Sequence, residues 1–158
     1  MPGTRPDDAG DDVVITRADN ASELPDWMDV DHLTAFLHES LKPYEDPRPV
    51  VGEGIEYAFS NEPGRGGFVL VASRDETLLG ALVILKTGMA RYVPENLLLF
   101  VAVSPDARGR GIGGRLVSRA VDEADGEIKL HVEHDNPARR LYERCGFSSK
   151  YLEMRHAA

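Results

Sequence analysis

The chain has one cysteine, one tryptophan, fewer cations than anions and no long apolar run. A lone Cys145 excludes an internal disulfide and a cysteine-built metal site, which suits a reducing compartment. No segment approaches the roughly 18 consecutive apolar residues of a membrane span. The first dozen residues are acidic and polar where a secretory leader is basic and then apolar, so a cytoplasmic protein with no membrane partner is expected. With 18 Lys and Arg against 27 Asp and Glu the formal charge is −9, which argues against nucleic acid as the main partner, because phosphate backbones are met by clustered cations. Cationic small molecules or peptides fit better. Asp7, Asp8, Asp11 and Asp12 stand against Arg5 in residues 1–12, predicted to be a disordered acidic tail. Residues 13–158 are expected to form one domain, since a chain of 158 residues with 42% hydrophobic side chains can bury one core.

The chain is not short of glycine, and its most informative stretch is Leu97 to Gly114, LLLFVAVSPDARGRGIGG. An apolar strand runs into a turn and then a glycine cluster that opens a helix. Gly109, Gly111, Gly113 and Gly114 let the backbone approach a ligand closely, so that successive N–H groups can converge on one anion. The positive end of the helix dipole adds to them. Ile112, Leu116, Val117, Ala120, Val121 and Ala124 recur at helical spacing and give that helix an inner face. The pattern fits a pyrophosphate cradle.

The rest alternates strands and helices without an internal repeat. Strands are predicted at Val13–Arg17, Phe68–Ala72, Leu78–Lys86, Leu97–Val103 and Ile128–Glu133, the second and third as an antiparallel hairpin. Helices are predicted over Asp26–Leu41, Val50–Phe59 and about Arg110–Ala124, with a last one opened by Asn136-Pro137 and closed by Gly146. Lys42–Pro49 reads as a loop.

Val101-Ala102-Val103, Pro105 and the run Arg108-Gly109-Arg110-Gly111-Ile112-Gly113 resemble the acyl-CoA motif Q/R-x-x-G-x-G/A of the GNAT superfamily of N-acetyltransferases. Leu130 to Phe147, with Asn136, Ala138, Tyr142 and the Gly146-Phe147 pair, is similar to that family's second signature. The resemblance implies an α/β fold: a mixed sheet of six to seven strands flanked by about four helices and splayed between the fourth and fifth strands. Here the C-terminal strand region is shortened, with one further strand available in Lys150–Arg155.

It also implies acetyl-CoA as donor, no metal, and direct attack of a primary amine in a ternary complex. The main chain at Val101, Ala102 and Val103 is then a pantetheine site, and the N–H groups of Arg108, Gly109, Arg110, Gly111, Ile112, Gly113 and Gly114 a pyrophosphate site. Asn136 matches a cofactor contact, and Asn before Pro is equally an ordinary helix cap. Tyr142 matches the acid that protonates the departing thiolate, a phenol of pKa about 10 serving a thiol of about 8.5. An inward-facing core tyrosine is the alternative.

An amine of pKa about 10.4 must lose a proton before it attacks. Leu97 stands where several family members keep a base glutamate, so Glu95, two residues earlier on the same strand face, is the candidate base through water. Glu133, His131 and bulk solvent remain open. Glu45 and Asp46 of the Lys42–Asp46 loop, with Tyr92, would line a cation-accepting site, left open or completed by a second subunit in a homodimer. A solvated acidic loop reads the same residues more simply. A non-catalytic acyl-CoA-responsive module is the second reading. Gly109-x-Gly111-x-x-Gly114 with Glu133 formally fits a dinucleotide fingerprint and gives a NAD-dependent oxidoreductase as a third, weakened by Ser104–Arg108 between strand and glycines. His131 and His134 have no partner set that suggests zinc, and Cys145 has no paired base.

Overall fold

The computed structural model describes residues 12–158, so all of the predicted tail but Asp12 lies outside the described residues. Five strands, β1 (Val14–Ala18), β2 (Gly67–Arg74), β3 (Thr77–Lys86), β4 (Asn96–Val103) and β5 (Ile128–Leu130), form one sheet in the order β1-β2-β3-β4-β5. The first four are antiparallel neighbours, and β5 alone runs parallel, beside β4. That order is not the doubly wound parallel sheet of the oxidoreductase reading.

Helices α1 (Val30–Ser40) and α2 (Arg48–Ala58) cover one face, and α3 (Ile112–Glu123) and α4 (Ala138–Arg144) the other. The first core gathers Leu33, Leu37, Val51 and Ile55 over Val69, Val71 and Val83. The second gathers Leu116, Val117 and Ala120 over Leu70, Leu82 and Ile84. Alternate residues of β2 and β3 supply the two cores, as strand geometry demands.

Local chemistry sets the helix limits. α1 begins at Val30, later than Asp26, because the Asp29 carboxylate accepts the His32 N–H at 2.8 Å as an N-cap. α2 begins two residues earlier than Val50, with Pro49 in the first turn, where its missing N–H costs nothing. Gly54 sits inside α2 for a packing reason: a Cβ there would lie 2.6 Å from Leu99 Cδ2 and 3.0 Å from Phe100 Cε2. Its absence lets α2 lie directly on β4.

β4 carries a bulge. Val83 faces Phe100 while Ile84 faces Leu98, so Leu99 is the extra residue. Its effect shows in the cores: Leu98 packs on the α3 side, Leu99, Phe100 and Ala102 on the α1–α2 side, and Val101 and Val103 on the α3 side again. The strand changes faces once, at Leu99.

Two expectations need correction. β5 ends at Leu130 instead of Glu133, and Lys150–Arg155 forms no strand, so the sheet has five strands where six or seven were expected. β5 finds β4 only across three residue pairs, ending at Leu98 and Leu130, and beyond them it has no ladder to extend. No described helix is long and apolar enough to cross a membrane.

Gly67 tests the hairpin. It sits at φ 147°, and a Cβ would lie 1.9 Å from the Ile84 carbonyl oxygen, a backbone atom that cannot swing away. Gly67→Ala is expected to cost at least about 2 kcal/mol, lowering Tm by about 5 °C or more in thermal unfolding. Gly64→Ala, at φ 82° with open space around it, should lose only about 1 kcal/mol.

Candidate functional site

β4 is hydrogen-bonded on both sides only as far as Leu98. β5 pairs through Asn96, Leu97 and Leu98, and among the described residues no strand continues along that side of Leu99–Val103. On the opposite side the Ser104 N–H donates to the Leu79 carbonyl at 2.8 Å. Alternation then turns the amide groups of Ala102 towards β3 and those of Val101 and Val103 into the gap. The Val103 carbonyl accepts Arg108 Nε at 3.2 Å. Val101 is left offering one donor and one acceptor to whatever enters. Ala102, expected among the cofactor contacts, is not brought to the gap, because its backbone faces β3 and its side chain is buried in the core.

The foot of this gap is tied shut. Asn96 is buried, and its Nδ2 donates to the carbonyls of Asp125 at 2.8 Å and Glu127 at 3.2 Å, in the turn before β5. Glu95 Oε2 accepts the Glu127 N–H at 2.8 Å and lies over Gly126. Backbone N–H groups at residues 95 and 127 hold the Glu95 carboxyl below the ordinary glutamate range. Glu95 therefore works as a turn cap, a poor proton acceptor placed four residues short of the bulge.

At the other end, the Pro105–Ala107 turn leads into the glycine loop. Gly109 and Gly111 lie at φ 81° and 78°, where a side chain is strained, and a Cβ at either would meet nothing within 4 Å. These two glycines turn the backbone through open space. Gly113 serves packing instead: a Cβ there would lie 3.2 Å from Leu141 Cδ2, so its absence admits α4 beside α3, whereas one on Gly114 would make an ordinary contact, 3.7 Å from Leu141 Cδ1. The first N–H of α3 with a helical acceptor is that of Arg115, to Gly111 at 3.0 Å, so those of Ile112, Gly113 and Gly114 have none within the helix. The Ile112 side chain is in the core, and Arg110 is exposed. Arg108, expected at the pyrophosphate through its N–H, spends its side chain on protein carbonyls, Nη2 reaching Ser40 O at 2.9 Å besides the bond to Val103.

Tyr142 lies on the inner side of α4, 9% exposed, edge-on to Phe147 with ring centroids 6.1 Å apart. Burial pushes its phenol up to about 12. Asn136 Oδ1 accepts the Ala138 N–H at 2.9 Å and so caps the turn into α4.

The loop between α1 and α2 crosses towards the far side of the gap. Tyr44 Oη donates to the Asp135 carbonyl at 3.3 Å, and burial, then Asp135, then Glu133 raise its pKa. His38 Nδ1 lies 3.0 Å from the Asp46 carbonyl. Glu45 Oε2 is buried with no hydrogen-bond partner among the described residues. Glu133 and His131 lie exposed beyond the end of β5. Tyr92, expected in the same wall, is 98% exposed on the β3–β4 loop.

Sequence reading missed the bulge at Leu99, because an apolar run that feeds two cores hides a change of face. It also missed the Tyr44–Asp135 contact, since neither residue carries a motif. Gly54, a glycine within a helical pattern, was a usable signal of close approach.

A family model described as the acetyltransferase (GNAT) family matches residues 27–147. Among curated proteins, a mycothiol acetyltransferase of Brachybacterium faecium is 38% identical over 94 residues, covering 55% of this chain and 28% of that protein. One from Corynebacterium aurimucosum is 45% identical over 53 residues, 30% of this chain and 17% of its own length. The matches thus span less than a third of these relatives. Among solved structures, the aminoglycoside N-acetyltransferase AAC(6')-Iy in complex with CoA superposes with TM-score 0.66 at 12% identity, covering 92% of this chain and 94% of that one. A ribosomal-protein-alanine N-acetyltransferase from Brucella melitensis gives TM-score 0.64 at 18% identity over 92% and 99% of the two chains. These two share the fold.

The raised Tyr142 pKa sets a pH dependence. Between pH 10, where an unfolded tyrosine ionises, and about 12, the unfolded chain has lost a proton that the folded one keeps, so stability falls with rising pH. The loss is about 1.4 kcal/mol per pH unit. Tyr142→Phe should therefore flatten the unfolding free energy between pH 10 and 12 relative to the wild type, measured by denaturant titration.

Proposed function

Because the chain belongs to the GNAT acetyltransferase family, we propose that it transfers an acetyl group from acetyl-CoA to a primary amine by direct attack in a ternary complex. The observation that carries this reading is the unpaired side of β4 at Val101, continuous with the left-handed Gly109–Gly111 turn and the α3 N-terminus. The residues fit the donor: Gly109 and Gly111 leave room that a side chain would fill, and the N–H groups from Gly109 to Gly114 offer converging donors to a pyrophosphate. In this reading Val101, with the Val103 N–H, bonds the pantetheine arm, and Asn136 contributes its amide nitrogen, since its oxygen serves as the cap.

The amine nitrogen forms a bond to the thioester carbonyl carbon, the C–S bond breaks, and Tyr142 gives its proton to the leaving sulfur. Against a free thiol near 8.5, a phenol near 12 makes full transfer cost about 5 kcal/mol. A thiolate released into the same buried gap is raised by the same desolvation, which narrows that cost. The amine releases its own proton to solvent on the open acceptor side. Glu95, tied to Glu127 at the foot of the strand, is left out of the step.

The acceptor is a cationic amine in this reading. Glu45, Asp46, Glu133 and Asp135 surround the path to the gap with negative charge, and the raised Tyr44 pKa reflects part of that field. The names of the two curated relatives put mycothiol-related amines first among acceptors to test, ahead of peptide N-termini, lysine side chains, polyamines and aminoglycoside-like amines. A homodimer belongs to the same proposal, supported by Tyr151, Leu152 and Met154, which are 78%, 83% and 89% exposed.

The test is release of free CoA thiol from acetyl-CoA with a pooled amine set and a no-amine blank, beside calorimetry of CoA binding. Amine-dependent release is expected, and tight binding without release would favour the non-catalytic module. Tyr142→Phe should lower kcat about a hundredfold while CoA affinity stays within about twofold. Glu95→Gln separates the proton routes, and a comparable fall in kcat there would return Glu95 to the mechanism as base.

A further inference from the structure

Arg108 opens the glycine loop, and its guanidinium is forked between two main-chain carbonyls from different elements. Nε donates to Val103 at the end of β4, at 3.2 Å, and Nη2 to Ser40, the last residue of α1, at 2.9 Å. Ser40 is 6% exposed, and its carbonyl is one of the four at a helix C-terminus that lack an intrahelical partner. A cation there meets both that orphan acceptor and the negative end of the helix dipole. The planar arginine fork suits this double contact, whereas a lysine reaches one carbonyl.

The chain beyond Ser40 is the acceptor loop. Only four positions later Tyr44 is fixed to the opposite side of the gap, its Oη bonded to the Asp135 carbonyl at 3.3 Å and its N–H to Leu41 at 2.8 Å. The loop is thus pinned to the β4 side through Arg108 and to the β5 side through Tyr44. Lys42, the cation between the pins, is engaged with Glu39 at 2.9 Å and does not replace Arg108. Immediately after Arg108 the backbone turns at Gly109, φ 81°, with no neighbour that a Cβ would touch. The loop that would receive the pyrophosphate therefore starts directly after a side chain anchored at the end of α1, where the acceptor loop begins.

We propose that Arg108 is a positioning residue that couples occupancy of the glycine loop to the placement of the Leu41–Asp46 acceptor loop, and that its side chain is not a ligand of the pyrophosphate. The inference rests on the acetyl-transfer reading above. A ligand that fixes the Arg108–Gly111 backbone fixes the fork, the fork fixes the end of α1, and by linkage the bound amine tightens the donor in return.

Arg108→Ala is expected to raise KM for the amine about tenfold, the loss of charge-assisted hydrogen bonds, and by reciprocity to weaken acetyl-CoA comparably when amine is bound, while Kd for acetyl-CoA without amine changes less than about twofold. Arg108→Lys should recover part of the amine KM. Should the alanine variant fail to fold, Arg108→Gln and Arg108→Lys carry the same comparison. Independently of turnover, CoA should slow hydrogen exchange at the Leu41–Asp46 amides in the wild type and not in Arg108→Ala. A tenfold weaker acetyl-CoA affinity with an unchanged amine KM would overturn the proposal and make Arg108 a pyrophosphate ligand. Exchange in that loop indifferent to CoA in the wild type would overturn it too. If the wild type acetylates no amine, the transfer reading fails while the exchange experiment still decides the role of Arg108.

Discussion

Everything at this site depends on β4 being a full partner of two strands for three residues and of one strand thereafter. Asn96 and Glu95 bind the turn before β5 to the foot of β4, so the two strands must begin side by side. The bulge at Leu99 then rotates β4 by one residue, and pairing with β5 stops at Leu98. Unpaired backbone groups in a protein interior are costly unless something bonds them. The end of that pairing leaves the main chain of Val101 open on one side, beside a glycine turn.

The helices pack closely on both faces of the sheet. Gly54 lets α2 lie against Leu99 and Phe100 from one face, and Gly113 lets α4 approach α3 on the other, where Tyr142 lies in the second core. Gly54 and Gly113 therefore act by removing bulk, while Gly109 and Gly111 act by adopting φ near +80°. The motif mixes two physical roles that a sequence pattern writes with one letter.

Charge is arranged to the same end. The carboxylates near the gap fall into two groups: Glu95, whose charge is held by backbone N–H groups in a structural cap, and the set around Glu45, whose buried oxygen has no such partner among the described residues. The first stabilises the foot of the cleft. The second leaves a negative field beside it, which favours a cation over an anion.

What the sequence determined by itself was local. The strand–turn–glycine–helix order from Leu97 to Gly114, the stripe of α3 and the Pro-Gly brackets of α4 follow from periodicity, φ preferences and capping, each written within about twenty residues of chain. Tertiary structure decided what depends on pairing and on partners distant in the chain. The short β5, the absence of a strand at Lys150–Arg155, and Ala102 turned to β3 instead of the gap all depend on which ladder is available to a strand. Glu95 and Arg108 bond to Glu127 and Ser40, partners 32 and 68 residues away that their own spacing did not announce. A hydrogen bond of that span is set by how helices and strands pack, and no local pattern records it.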